Sequence, residues 1–409
     1  MAKLVEQGFK YRWVILGVCW LAYIVAFMQR LSIGPLAPFL KEDLNLTSAQ
    51  VGLFVSAAAL GYGLMTIPAG WLADRIGIRW ILLIGEVVGG VFIMGMFTLT
   101  TFTQGLIFMF LAGLGMGCLM PSTTKAVLVW FPLKERATAM GFKQTALNVG
   151  GIITAATLPS LALARGWRYG FVIIGVVGIV IGIVSFIMYK EPPQNVSFDT
   201  SEPVTPSETK PSLGEVFRGR EIWLVIFAGL FMSFVEHSAM AHFVLYSEKV
   251  LLLPVVTAGF FLALTEGGGG VGRVISGLIS DRLWHGSRKG IYIWMCAIAF
   301  VVSVIFGFLG SGSPVGVLIL LCLILGFAGI GWAGLQLTLV GELAGRKLAG
   351  TVTGIVTAIV MLGNITGPPI FGYIVDTTGS YRMAWLFLGV LSILATILLL
   401  FVREEKRRI

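Results

Sequence analysis

Charged residues are scarce in this chain, and their scarcity limits what the protein can be. Asp, Glu, Lys and Arg together make up only 12% of its 409 residues. A soluble domain typically carries about twice this fraction, because charge keeps its surface in water. Hydrophobic residues, by contrast, reach 57% of the chain. This composition excludes an ordinary soluble surface and indicates a protein built to sit in a lipid bilayer.

Cysteine and histidine are also few. The four cysteines lie inside apolar stretches without the spacing of metal ligands, so we expect small buried hydrophobes. No nucleophile–base set typical of an enzyme is apparent in the sequence. A G-x-G-x-x-G match at residues 267–272 lies within an apolar segment rather than after a strand, which argues against a dinucleotide site. We therefore predict no enzyme activity and no cofactor.

Positive charge is distributed unevenly along the chain. The net charge is +9, but the basic residues stand in short runs between apolar segments rather than in one continuous surface. This placement is typical of orientation signals in membrane proteins and does not favour a nucleic-acid partner. With the N-terminus inside, most lysines and arginines fall on the inner side. We therefore expect a multi-pass protein of the cell membrane with both termini in the cytoplasm.

Twelve apolar segments are long enough to cross a membrane, which needs ~20 residues of helix. Only helices are expected, because lipid cannot satisfy open backbone groups. The first segment continues into Gln29-Arg30 without a small-residue cleavage site, so we expect a span and not a cleaved leader. The segments begin near Tyr11, Ser48, Trp80, Gln104, Ala137, Arg168, Glu221, Pro254, Gly290, Pro314, Leu348 and Tyr381.

A proline-rich polar stretch and an internal repeat divide the chain in two. The sequence predicts a first six-helix half at residues 1–189, a flexible cytoplasmic linker at 190–215 and a second half at 216–409. Residues 70–75, Gly-Trp-Leu-Ala-Asp-Arg, are echoed by residues 277–282, Gly-Leu-Ile-Ser-Asp-Arg, after the equivalent span. Two such halves are typical of transporters that bind their substrate near the membrane midplane.

The loop after the second segment resembles the signature of the major facilitator superfamily. It reads Gly-Trp-Leu-Ala-Asp-Arg-Ile-Gly-Ile-Arg over residues 70–79. The resemblance implies an all-α membrane protein with twelve transmembrane helices in two pseudo-symmetric six-helix bundles, working by alternating access. It also implies a gating role at the inner ends of the helices. The gating candidates are Gly70, Asp74, Arg75, Arg79, Asp281 and Arg282.

Three further matches resemble bacterial carriers of organic anions. Gln29-Arg30 lies where anion:cation symporters often carry Asp-Arg, and Gln29 departs from that pattern. The sequence Gly-Phe-Lys-Gln at residues 141–144 resembles carboxylate carriers, and Gly272-Arg273 resembles the arginine of oxalate/formate and monocarboxylate carriers. The resemblance implies that the first, fourth, seventh and tenth spans line the cavity most directly.

Ionisable residues inside a membrane are energetically costly, so each one is a functional hypothesis. Arg30 is the leading substrate residue, because its guanidinium matches a carboxylate with two parallel hydrogen bonds. The full set of substrate-binding candidates is Gln29, Arg30, Lys125, Lys143, Gln144, Asn148, Arg273, Gln336 and Asn364. Glu236, His237 and Glu266 are candidates for proton coupling, with the alternative that they only neutralise Arg30 and Arg273. Glu86 is expected to pair with a lysine.

The basic groups in the spans outnumber the acidic ones, which favours an anionic substrate. The leading hypothesis is a monomeric carrier that moves a small organic anion, a carboxylate, through the bilayer together with a coupling ion. A proton is the expected ion, and sodium stays open. The alternatives are an antiporter or exporter of another small solute, and a membrane sensor on the same fold that transports nothing.

Overall fold

The structure is a computed structural model that describes residues 2–191, 213–282 and 287–403. Within these residues all regular secondary structure is helical, and twelve helices are long and apolar enough to cross a membrane. Numbered in chain order, spans 1 to 12 are Tyr11–Asp43, Ser48–Arg75, Ile78–Thr98, Phe102–Trp130, Thr138–Arg165, Trp167–Met188, Arg220–Lys249, Val255–Ser280, Arg288–Phe308, Val315–Gly345, Leu348–Thr378 and Tyr381–Leu400. The prediction of an all-α chain with twelve spans is confirmed.

Two spans are broken where proline enters the helix. Span 1 consists of helices Ala2–Leu31 and Ile33–Asp43, and the second of these has Pro35 in its first turn, where the missing N–H costs nothing. Span 4 consists of helices Phe102–Gly117 and Leu119–Trp130. Its break precedes Pro121, whose ring conflicts with the carbonyl of Gly117 in an unbroken helix. Each of these two spans therefore consists of two consecutive helices.

The other helices are continuous, with one exception. Spans 10 and 11 share the helix Ala333–Thr378, which is interrupted at Gly345 by a left-handed φ of 72° that suits glycine. Span 10 starts in the preceding helix Val315–Gly329. The remaining helices are Ser48–Arg75, Ile78–Gly95, Leu133–Arg165, Trp167–Met188, Arg220–Lys249, Val255–Arg282, Arg288–Phe308 and Tyr381–Leu400, with short turns of helix at Met96–Thr98 and Leu213–Arg218.

The described residues form two compact units. Unit 1 lies within Met1–Ile33 and Ala57–Ser207, and unit 2 lies within Gly34–Ser56 and Glu208–Ile409. The end of span 1 and the start of span 2 therefore belong with the later spans. The linker predicted at residues 190–215 falls mostly outside the described residues, and the division into two six-helix halves stays a prediction.

Unit 1 is held by an apolar core and by glycine contacts. Buried residues of spans 1, 3, 4 and 5 form the core, with Cys19 and Phe131 fully inaccessible. Spans 3 and 4 approach backbone to backbone, because a Cβ on Gly115 would collide with the main chain at Gly85 and Gly89. Small residues at helix crossings permit such close contact in lipid. This packing brings span 3 close to the buried face of span 1.

Unit 2 includes a segment from early in the chain, residues 34–56. A Cβ on Gly52 would collide with the backbone at Pro368, and one on Gly372 would collide with the backbone at Ser48. The carboxylate of Asp376 accepts hydrogen bonds from the backbone N–H groups of Ser48 at 2.9 Å and Ala49 at 2.8 Å. These donors belong to the first turn of span 2, so Asp376 caps that helix from span 11.

Candidate functional site

Arg30 stands near the break in span 1 without an acidic partner in its unit. The residue is half-buried, and its guanidinium carbon lies 4.6 Å from the ring centre of Tyr62 and 5.5 Å from that of Phe27. No carboxylate of the described part of unit 1 lies within ion-pair distance of it. Aromatic faces stabilise a cation without occupying its N–H donors in the way a carboxylate does. The guanidinium fork can therefore still receive an anion.

Lys143 on span 5 is a second cation of this kind. It is only 1% exposed, and its ammonium donates to the Thr124 hydroxyl at 2.8 Å and lies 4.7 Å from the ring centre of Tyr23. Tyr23 neighbours Tyr62, the ring beneath Arg30. Lys143 also lacks a carboxylate partner among the residues described in unit 1. The two cations are thus linked through two tyrosines into one cluster.

Gln29 and Glu86 form a separate buried contact. Gln29 is 1% exposed, and its Nε2 donates to Glu86 Oε2 at 3.4 Å. The Gln29 amide lies against Gly89 and Gly178, and a Cβ added at either glycine would collide with it. The predicted pairing of Glu86 with a lysine is wrong for the residues that the structure describes, because the amide of Gln29 takes the place of the ammonium. Gln29 therefore serves helix packing in this arrangement.

Lys125 lies with the signature loop and away from Lys143. Its ammonium is 2.6 Å from Asp74 Oδ1 and donates to the carbonyl of Ala73 at 2.9 Å. The Asp74 side chain is 67% exposed, so the carboxylate of this ion pair is in contact with solvent. A pair of this exposure contributes little stability but can be exchanged easily. Span 4 is thereby tied to the C-terminal end of span 2.

The remaining gating candidates of unit 1 contact aromatic rings and a proline. Arg75 stacks on Trp71 at 3.9 Å, and Arg79 donates to the carbonyl of Phe186 while lying 3.9 Å from the ring centre of Phe186. Gly70 lies against Pro121, with 3.8 Å between a Cβ on the glycine and the Cβ of the proline.

In the second copy of the motif Arg282 is exposed, and the side chain of Asp281 lies outside the described residues. Beyond it, Arg288 lies 3.8 Å from Glu342 and donates to Ser280 at 3.0 Å. The N-terminal end of span 9 is thus tied to span 10, as span 4 is tied to span 2 in unit 1.

Glu236 of span 7 is the centre of a polar cluster in unit 2. Its Oε1 lies 3.6 Å from a guanidinium nitrogen of Arg273, and its Oε2 accepts a hydrogen bond from Trp332 at 3.1 Å. Arg273 also donates to the carbonyl of Ile330 at 3.4 Å, and Trp332 stacks on Tyr292 with 6.0 Å between ring centres. In this arrangement Arg273 is neutralised by Glu236, in line with the alternative considered for the acidic residues.

The other two coupling candidates are on the same two spans. The Nδ1 of His237 lies 2.9 Å from the carbonyl oxygen of Ser233, so this nitrogen carries the proton. Glu266 is buried on span 8, 4% exposed, and both residues have further polar interactions. Another histidine, His242, is fully buried, and its Nε2 lies 2.8 Å from the carbonyl oxygen of Pro368.

The other four amide candidates are all buried or half-buried. Gln336 donates to the carbonyl of Val225 at 3.4 Å, which joins span 10 to span 7. Asn148 is 4% exposed and has polar partners. The side-chain oxygens of Gln144 and Asn364 are buried without a hydrogen-bond partner within the described chain. An unmet buried acceptor of this kind costs free energy, so both oxygens can receive a donor.

Sequence reasoning missed the aromatic side of the unit 1 cluster. Tyr23, Tyr62 and Thr124 contact the two cations. Tyrosine and threonine are common in membrane helices and carry no charge whose burial would cost free energy, so the sequence does not mark them as site residues. One signal was present, because Tyr23 precedes Arg30 by two helical turns and so shares its face of span 1.

Comparison with known proteins agrees with this architecture. The family model described as Major Facilitator Superfamily matches residues 19–365 and 335–409. A protein of Cupriavidus necator described as "Probable sulfoacetate transporter" is 28% identical, with 94% of this chain and 92% of that protein covered. The "Hexuronate transporter" of Bacillus subtilis is 27% identical, with 92% and 91% covered.

A solved structure supports the fold independently of sequence. A bacterial homologue of the human lysosomal transporter Spinster, in an inward-facing and occupied conformation, superposes with a TM-score of 0.79 at 18% identity. The match covers 96% of this chain and 97% of that chain. At 18% identity this match supports the fold and nothing beyond it. Because the family model spans most of the sequence and the relatives are transporters and not enzymes, this chain belongs to the Major Facilitator Superfamily and is a multi-pass membrane transporter.

Proposed function

We propose that this protein carries a small organic anion across the cell membrane by alternating access, in symport with protons. The observation that carries the proposal is Arg30, a guanidinium inside a span with aromatic neighbours and no carboxylate within ion-pair distance in the described part of its unit. A charge in mid-membrane costs ~3 kcal/mol on insertion scales. An anionic substrate offsets this cost and uses both arms of the guanidinium.

The relatives support the chemical class of the substrate. Sulfoacetate and hexuronates, the compounds for which the two relatives are described, are both organic acids. They differ in the number of charges and in size, so they support an organic anion without selecting one. The proposed orientation has both termini in the cytoplasm, with the two six-helix halves joined by the linker.

The ion pair of unit 2 supplies a mechanism for coupling. A proton taken up by Glu236 removes the negative charge beside Arg273 and weakens the bond that holds the two side chains together. Protonation of Glu236 raises the net charge of the site by one, and an entering anion compensates this added positive charge. Proton and substrate thus favour each other's binding, and this reciprocity is what symport requires.

The proposal is tested by uptake into proteoliposomes containing the purified protein. Uptake is measured with and without an inward proton gradient for sulfoacetate, glucarate, gluconate, succinate and lactate. We expect accumulation of at least one anion that rises with the gradient. Arg30→Lys keeps the charge but loses the fork, and should lower uptake sharply.

Arg382→Lys makes the same chemical change at the start of span 12, where the arginine donates to the carbonyl of Gly307, and serves as the matched control. Failure of the wild-type protein to take up any anion, with anion binding retained, would favour a sensor. Equal uptake by Arg30→Lys and Arg382→Lys would remove Arg30 from the site.

A further inference from the structure

The two cations of the unit 1 cluster differ from the other two cations among the substrate-site candidates. Lys125 has Asp74 as a partner, and Arg273 has Glu236. Arg30 and Lys143 have no carboxylate within ion-pair distance among the residues described in their unit, and the buried acid Glu86 is bonded to Gln29. The cluster therefore carries two positive charges without an ion-pair partner in the described part of unit 1. A single carboxylate on Arg30 would neutralise only half of this charge.

We propose that the site accepts organic dianions, with one anionic group on the Arg30 guanidinium and the second at the Thr124 hydroxyl beside Lys143. This inference rests on the proposed function and specifies the substrate class of the same site. The number of charges is not settled by the relatives, since sulfoacetate is a dianion and a hexuronate is a monoanion.

Thr124 is the group through which the buried ammonium reaches a ligand. The Thr124 oxygen accepts a hydrogen bond from Lys143, so its own O–H proton stays available as a donor. Thr124 is half-buried, whereas Lys143 is 1% exposed. A ligand at Thr124 would therefore lie within about two hydrogen-bond lengths of the ammonium, where exclusion of water keeps the attraction strong.

The positions of the two cations along span 1 favour a two-ended ligand. Tyr23 and Arg30 are seven residues apart on one face of span 1, which is ~10 Å along the helix axis. Lys143 lies against the ring of Tyr23, and Arg30 lies over the ring of Tyr62. A ligand that reaches both cations therefore needs two separate anionic groups.

The test compares pairs of compounds that differ by one charge. Uptake into proteoliposomes is measured for succinate against succinamate and for glucarate against gluconate, with sulfoacetate as a further dianion. We expect the wild-type protein to prefer the dianion of at least one pair. Lys143→Met replaces the ammonium by an uncharged chain of similar length and should lower the preference for the dianion about tenfold to a hundredfold.

Thr124→Val removes the hydroxyl at nearly constant volume and should shift the same preference in the same direction. It also carries the test if Lys143→Met fails to accumulate in the membrane. Arg30→Lys is the contrasting variant and should lower uptake of both members of a pair.

A wild-type preference for monoanions would overturn the inference, as would equal loss of both members in Lys143→Met and Thr124→Val. Either result leaves anion transport itself intact. Absence of all uptake by the wild-type protein would instead contradict the proposed function.

Discussion

Removal of the Asp376 carboxylate should loosen the packing of residues 34–56 in unit 2. This carboxylate accepts two backbone hydrogen bonds, from Ser48 and Ala49, at the first turn of span 2. Loss of a helix cap costs ~0.5–2 kcal/mol, and two bonds to a charged acceptor place this cap near the upper end. At ~2 kcal/mol, Asp376→Ala should increase the open population of the segment about 30-fold.

The neighbouring lysine contributes less to the same contact. Lys41 lies 4.0 Å from Asp376, with the two side chains 32% and 23% exposed, and such pairs are worth ~1 kcal/mol at most. Asp376→Asn keeps an acceptor oxygen but loses the charge, so it should weaken the cap less than Asp376→Ala does. We therefore expect the open population of residues 34–56 to be highest with alanine, intermediate with asparagine and lowest in the wild-type protein.

The assay is thiol labelling at a residue that the packed segment buries. Val51 is fully buried, so Val51→Cys in a background without the four native cysteines reports opening of the segment in lipid nanodiscs. Labelling should be about 30-fold faster with Asp376→Ala. Glu42→Ala, an exposed acid on the same segment, is the matched control. Labelling rates that agree within twofold in all variants would refute the reasoning.

Three further predictions concern the transport cycle and the topology. Asp74→Asn weakens the ion pair with Lys125, and should slow substrate exchange per bound molecule while leaving affinity unchanged; lost affinity with normal exchange would contradict the gating role. Glu236→Gln should abolish accumulation driven by a pH gradient but keep counterflow exchange, because the amide mimics a protonated carboxyl beside Arg273; intact pH-driven accumulation would move the proton role to another group. Cysteines placed in the linker at residues 190–212 should resist impermeant thiol reagents added outside intact cells, and efficient labelling there would overturn the topology.

The twelve spans could be predicted because the thickness of the bilayer fixes the length of an apolar helix. Each predicted start lies close to an observed one, and the two prolines that break spans 1 and 4 did not disturb the count. Arg30 could also be predicted as a site candidate, because the cost of a buried charge can be assessed from sequence alone.

The partners of the charged groups could not be predicted. Counting residues along a straight helix gives the approximate depth of a lysine, but depth does not specify which side of the helix the lysine occupies. The break before Pro121 also interrupts span 4 upstream of Lys125. Lys125 consequently reaches Asp74, and Glu86 finds Gln29 in place of a lysine. Such pairings depend on helix order and rotation, which one sequence does not contain.

The membership of residues 34–56 in unit 2 has a consequence for how the protein is made. Ser48 and Asp376 are 328 residues apart in the chain. At typical rates of synthesis the early segment waits on the order of tens of seconds before span 11 emerges from the ribosome. During this interval Gly34 and Gly52 face lipid or the insertion machinery without their later helix partners. A C-terminal half expressed on its own would lack this segment altogether, so its Asp376 would enter the membrane without the two N–H donors that hold it.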